Sequence, residues 1–457
     1  MAIATSCLRP SGHALRPNGR DASEQELPVT RQAITYVLLV PLTIFAVHGG
    51  FSFEHASWNN NLGAVGGKIA VMSTDTETLR DRMQAWLALA LCSVVIVPQY
   101  RRIGGLMQGM LLVVSLPLYA ILSSVWSQNP GLSFRSGISL FVTTLLALYL
   151  ASRFGHRQQM SLVMLTGACV STLSIAVVVF WPQFGLDHQL HEGAWQGLFT
   201  QKNVCAESTL FMLTPALALP GSGRYGQLLQ GLYILLCLCI IFMTQSRTGW
   251  AITLFYLIFA TGLRVLGRFQ RKDMLPIAAS LFVVIGGMVV LAIEYPSLIF
   301  SLISRSDSLS GREQIWNAIS ASILRRPLGG YGFDAFWSLT GGEASRVFAS
   351  AGWVVTSAHN GFLNVGLELG LIGVALVSVV LLQAVRHAGK AFHPGHSRYI
   401  EWCIGIVFLT VIYNLDERTL MATQYLPWIL FIVACVGLQR ESQLTQSSFV
   451  EEAEETS

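Results

Sequence analysis

Charge is what this sequence has least of. Only 12% of its 457 residues are Asp, Glu, Lys or Arg, where a soluble domain carries about a quarter, and 53% are hydrophobic. So few charges cannot cover a water-soluble surface, which leaves a polytopic membrane protein. The cysteines (Cys7, Cys92, Cys169, Cys205, Cys237, Cys239, Cys403 and Cys435) lie mostly inside apolar runs, which argues against a disulfide framework. No repeat of about 20 to 50 residues is visible, so a solenoid is excluded. There is no P-loop, no Gly-x-Gly-x-x-Gly opening a helix and no defensible Ser/His/Asp set. Nor is there a His/Asp/Glu cluster with metal-ligand spacing. ATP-driven chemistry is therefore not expected, nor is a metal, a cofactor or a nucleic-acid partner.

Long apolar runs are abundant. A bilayer core of roughly 30 Å needs about 17 to 25 apolar residues as helix. Twelve candidate spans follow: 33–49, 84–98, 103–126, 136–152, 159–181, 203–220, 226–244, 249–266, 274–293, 361–385, 399–415 and 422–438. The organisation is a polar tail over 1–32, spans one to nine over 33–293, a large loop over 294–360, spans ten to twelve over 361–438, and a polar tail over 439–457. Both tails read as disordered, and the first lacks the apolar core of a cleaved signal peptide. With the N-terminus inside, every inner segment is basic, including Arg101 with Arg102, Arg153 with Arg157, and Arg264 through Lys272. The short outer turns hold few cations, chiefly Arg135, Arg247 and Arg418. Both termini are then cytoplasmic. Within the large loop, Gly311-Arg312 opens a helix with Ile315, Ile319, Ile323 and Leu324 expected on one face, and Arg325-Arg326-Pro327 closes it. Gly329, Gly330 and Gly332 around Tyr331 read as a flexible turn.

On this topology four polar clusters share the outer face. They are Gln201-Lys202-Asn203 with Glu207; Ser246-Arg247-Thr248; Gly311-Arg312 with Arg325 and Arg326; and Ser357-Ala358-His359-Asn360 with Glu368 deeper in the next span. Each has a plainer reading: Lys202 as a snorkelling lysine, Asn203 or Asn360 as helix caps, Arg247 as a topological anchor. Anchoring is the weaker reading for Arg247, because it lies on the side where basic anchors are under-used. Together, several arginines and a lysine on one face make a receptor for phosphate or diphosphate. A histidine beside them suits general base work. The implied chemistry is a metal-free transfer with a lipid-linked diphosphate as leaving group.

At these residues the chain resembles the O-antigen ligase/polymerase superfamily, and within it the exopolysaccharide production and polymerisation branch. The resemblance rests on Trp126-Ser127-Gln128-Asn129-Pro130, Gly197 to Asn203, Ser246-Arg247-Thr248-Gly249, Gly311-Arg312 with Ile315-Trp316, Arg326 to Gly332, and Ala358 to Leu363. It implies an all-α, GT-C-like membrane glycosyltransferase of about twelve helices in the bacterial inner membrane. Such an enzyme has a large, partly helical periplasmic loop and acts on undecaprenyl-diphosphate-linked glycans without metal or nucleotide sugar. Carried over to this chain, the catalytic residues are Arg247, Arg312 and His359. The substrate-binding set is Lys202, Asn203, Ser246, Arg326, Tyr331 and Asn360. The two arginines would stabilise the departing diphosphate while His359 activates the acceptor, with inversion. A polymerase of exopolysaccharide repeat units is favoured over a ligase that transfers glycan to lipid A core. A chain-length regulator or export machinery would be natural partners. A lipid-linked glycan flippase or transporter is the alternative from another class, although ionisable groups at broken helices near the midplane would be expected of it.

Overall fold

The computed structural model describes residues 97, 100–188, 192–268, 312–337, 342–351, 355, 357–393 and 395–455. They form a mostly helical assembly: α1 (Tyr100–Gly109), α2 (Leu111–Leu122), α3 (Pro130–Arg153), α4 (His156–Phe180), α5 (Lys202–Ala218), α6 (Gly223–Met243) and α7 (Arg247–Leu266). There follow α8 (Arg312–Arg325), α9 (Gly342–Ala351), α10 (Gly361–Ala391), α11 (Arg398–Tyr413) and α12 (Leu426–Glu455). A two-residue hairpin, β1 (Leu186–Asp187) with β2 (Ala194–Trp195), links α4 to α5. Among the described residues, α3, α4, α6, α7 and α10 are long and apolar enough to cross a membrane. The chain is thus a polytopic membrane protein. The spans expected at 33–49 and 274–293, and that at 84–98 apart from Val97, lie outside the described residues.

Three expectations need correction. The run 103–126 is not one helix: it divides at Met110 into α1 and α2, and Ser123–Val125 closes it as a 3-10 turn. The last helix does not stop near 438 but continues to Glu455, through most of the expected polar tail. No glycine or proline follows Gly437 before Glu455, so nothing in the backbone interrupts it. In α8, Ile315 and Ile319 are buried, whereas Leu324 is 78% exposed. At about 100° per residue, nine positions carry Leu324 to the face opposite Ile315, and Ser322 takes the inward place instead.

The core is built where α3, α5, α11 and α12 meet, around the fully buried Trp402, Trp428, Phe211 and Phe431. Each buried indole donates to a threonine hydroxyl, Trp402 to Thr214 at 2.8 Å and Trp428 to Thr144 at 3.1 Å. Those bonds remove the desolvation cost of burying indole N–H groups.

The feature that shapes the polar end is a break in α10 at Gly370 (φ 65°, ψ −166°), where the helical ladder stops and restarts. Residues 327–332 fill the break. Tyr331 N donates to Leu367 O (2.9 Å) and Gly332 N to Glu368 O (2.9 Å), while Leu371 N donates to Pro327 O (2.7 Å). The backbone groups freed by the break are thereby satisfied by protein rather than by lipid. So close an approach requires glycine: a Cβ on Gly330 would meet the Glu368 carbonyl, and one on Gly370 the Leu328 carbonyl. The turn expected to be flexible is instead a docked plug. Trp126 to Pro130 secures its other side, since Trp126 Nε1 donates to Gly329 O (2.8 Å) and Gln128 N to Tyr331 O (3.0 Å).

Candidate functional site

Four chain segments distant in sequence converge at one end of the bundle. Gln201 caps α5, so Asn203 is not the cap but the second helical residue, with its side chain free for other work. Its amide donates to Glu417 Oε1 (2.9 Å), and its carbonyl oxygen accepts from Ser246 Oγ (2.9 Å). Ser246 is the N-cap of α7 and accepts from Gly249 N (3.1 Å), so a single hydroxyl both starts that helix and orients Asn203. Gly249 has no room for a Cβ against Ala206, which lets α7 approach α5 this closely.

His359 and Glu417 form the centre of the cluster, with Nδ1 of the histidine 3.3 Å from Glu417 Oε2. Both are largely sheltered, with side chains 20% and 9% exposed. A carboxylate accepting from Nδ1–H assigns the proton to that nitrogen and leaves Nε2 as a base. Asn360 is the N-cap of α10 and accepts from Leu363 N (3.0 Å), while its amide donates to Leu415 O (3.3 Å). Gly361 N donates to Asn414 O (2.8 Å), and a Cβ there would collide with Asn414 Oδ1. The run His359-Asn360-Gly361 thus presents the imidazole, starts the helix and lets the 414–425 loop dock. Backbone strain marks the same region. The non-glycine residues with positive φ among those described are Gln245, Asp334, His359, Met421 and Gln424, all in loops at this end. Such residues persist only where the surroundings hold them, and they gather at functional sites.

Lys202 donates to the Gln245 carbonyl (3.4 Å), and Asp187 and Arg247 are the charges acting on it. Arg247 is exposed at the first position of α7 and makes no ion pair among the described residues. Its guanidinium is available to an anion, beside Lys202 and at a helix N-terminus that also favours negative charge. Arg312 begins α8, but its side chain lies outside the described residues.

Arg326 and Tyr331 fall apart from this cluster. Arg326 stacks 5.0 Å over the Tyr331 ring, and the two line a cavity of about 390 Å³ with Gln128, Arg325, Glu343 and Arg346. Between the two sites lies a clamp that sequence reasoning missed. Arg418 bonds Asp334 Oδ1 (3.0 Å) and the buried Glu368 (3.2 Å), and Glu368 also accepts from Asn364 Nδ2 (2.8 Å). Burial alone would lower Arg418, but Glu368 and Asp334 outweigh it and hold the guanidinium charged. The signal was present as Asp416-Glu417-Arg418, a charged run between two apolar spans, to which the reasoning used for Arg247 applies equally.

The segment that carries Arg247 and His359 is similar to the O-antigen ligase family. Residues 232–378, from within α6 to within α10, match that family. The chain is also similar to the exopolysaccharide production protein ExoQ of Rhizobium meliloti (strain 1021), with 26% identity over 315 residues, covering 65% of this chain and 68% of that one. Over these stretches the chain is similar to the O-antigen ligase family and to an exopolysaccharide production protein.

Proposed function

We propose that the protein is an inverting glycosyltransferase of the bacterial inner membrane that joins exopolysaccharide repeat units at the periplasmic face. Its donor is an undecaprenyl-diphosphate-linked oligosaccharide and its acceptor another glycan. The observation that carries this reading is the conjunction of a sheltered base, His359 held by Glu417, with the exposed cation Arg247 at the same end of the bundle. In the reaction, the acceptor hydroxyl loses its proton to His359 Nε2 and its oxygen forms a bond to the anomeric carbon. The bond from that carbon to the diphosphate oxygen breaks on the opposite face, and the lipid diphosphate leaves with the electron pair. Glu417 stabilises the imidazolium that forms. Arg247, with Lys202 and Arg312, offsets the charge on the departing diphosphate. Asn203 and Ser246 position Glu417 rather than contacting the reacting atoms. Twelve spans, a GT-C-like fold and cytoplasmic termini accompany this reading.

The match to the O-antigen ligase family keeps a second acceptor, the lipid A core, in view. Likeness to an exopolysaccharide production protein favours polymerisation. Transport gains no support from the break in α10, because residues 327–332 plug it and Arg418 neutralises Glu368. The test is to give purified protein lipid-linked repeat units and resolve the products by length. A ladder that disappears in His359→Ala supports polymerisation. Transfer only to lipid A core would make it a ligase, and movement of the glycan across liposomes at constant length would make it a flippase.

A further inference from the structure

The cavity lined by Gln128, Arg325, Arg326, Tyr331, Glu343 and Arg346 takes no part in the chemistry above. We propose that it recognises a sugar carrying a carboxylate, making it a specificity site for acidic glycans; this rests on the glycan reading of the neighbouring site.

The argument begins with the charges. Glu343 lies between two of the guanidinium groups, 2.6 Å from Arg325 and 3.3 Å from Arg346. Arg326 has no carboxylate partner among the described residues, and stacking on Tyr331 restrains its plane while leaving its N–H edge open. Tyr331 is itself fixed, 2% exposed, with its hydroxyl donating to Ser322 O at 3.0 Å. The cavity therefore offers one unpaired, preorganised fork for an anion.

A single fork suits a monovalent planar carboxylate, which guanidinium binds through two parallel hydrogen bonds. A diphosphate, larger and more highly charged than a carboxylate, would have to be held at the Arg326 edge with the Glu343 carboxylate facing it in the same lining. Glu343 and the Gln128 side chain supply acceptors of the kind sugar hydroxyls use. The position also fits a sugar away from the reacting bond. Tyr331 is tied to Leu367, seven residues along α10 from Asn360, so it lies on the order of 10 Å from the His359 end at about 1.5 Å rise per residue.

The experiment uses the full-length protein in phosphatidylcholine nanodiscs and measures binding by calorimetry. Three probes are compared: a glucuronate-containing oligosaccharide, the same oligosaccharide with its carboxylate reduced to the alcohol, and inorganic diphosphate. The expected result is binding of the acidic sugar about 10-fold or more tighter than the reduced one, as a charged hydrogen-bonded contact provides. Arg326→Ala should lose that difference and Arg326→Lys keep part of it, while Arg247→Ala keeps all of it. Glu343→Gln should shift preference towards diphosphate. Equal binding of the two sugars, no binding of either, or displacement by diphosphate at lower concentration than by glucuronate would each overturn the proposal. Transfer from a lipid-linked donor, assayed separately, distinguishes the two readings: an inactive protein that still selects the acidic sugar through Arg326 sinks the glycosyltransferase, not the cavity.

Discussion

The turn that carries Arg247 and the loop that carries Arg418 lie at the same end of the bundle and hold their cations in opposite ways. Arg418 is 18% exposed and closed between Asp334 and Glu368, whereas Arg247 is exposed with no ion pair among the described residues. A cation whose charge is already neutralised holds structure together; one left open, beside Lys202 and at the start of a helix, is accessible to an anion, as the proposed reaction requires. Ion pairing and burial draw the same line here, the paired arginine being the sheltered one.

Four substitutions test the contrast. Arg418→Ala should have the largest effect, a loss of about 3 to 5 kcal/mol in stability, because it strands Glu368 in a buried position. Thermal unfolding in detergent would register the loss, and adding Glu368→Gln should restore part of it. An unchanged melting temperature would dissolve the distinction. Arg247→Ala should do the reverse, leaving the melting temperature in place while turnover falls about 100-fold or more. A destabilised but fully active variant would exchange the roles of the two arginines. For Glu417→Gln the expected change is about a 10-fold fall in kcat with little change in KM, a fraction of what general base catalysis supplies. If KM alone moved, Glu417 would be a binding residue instead. Ser246→Ala is the mildest, costing about 1 kcal/mol as a lost helix cap and loosening Asn203. Unfolding and activity measured together would show whether the cap or the Asn203 contact dominates.

Much of the helical framework was legible because length and hydropathy are local properties. The five long spans α3, α4, α6, α7 and α10 begin or end within several residues of their apolar runs. The break in α10 was not legible, since Gly370 lies in an apolar run where glycine is common and its partners come from residues 327–332. For the site, residue types and order placed Lys202, Asn203, Ser246, Arg247, His359 and Asn360 at a common face, and the fold brings these six together. What sequence could not supply was the pairing across it. Glu417 lies 58 positions from His359, and the charged run that contains it, Asp416-Glu417-Arg418, does not say which residue it meets. Arg326 and Tyr331 were placed with the substrate-binding residues on the strength of the resemblance, and their packing puts them at a cavity of their own.

The break at Gly370 also constrains how the protein is made. The amides of Leu371 and Ile372 and the carbonyls of Leu367 and Glu368 find their partners in residues synthesised before α10. Left open in the hydrocarbon, each such group would cost several kcal/mol. In its broken form the helix is therefore stable in the bilayer only with residues 327–332 docked against it. A substitution at Gly330 or Gly370 should then show itself first in the yield of inserted protein, before any effect on catalysis can be measured.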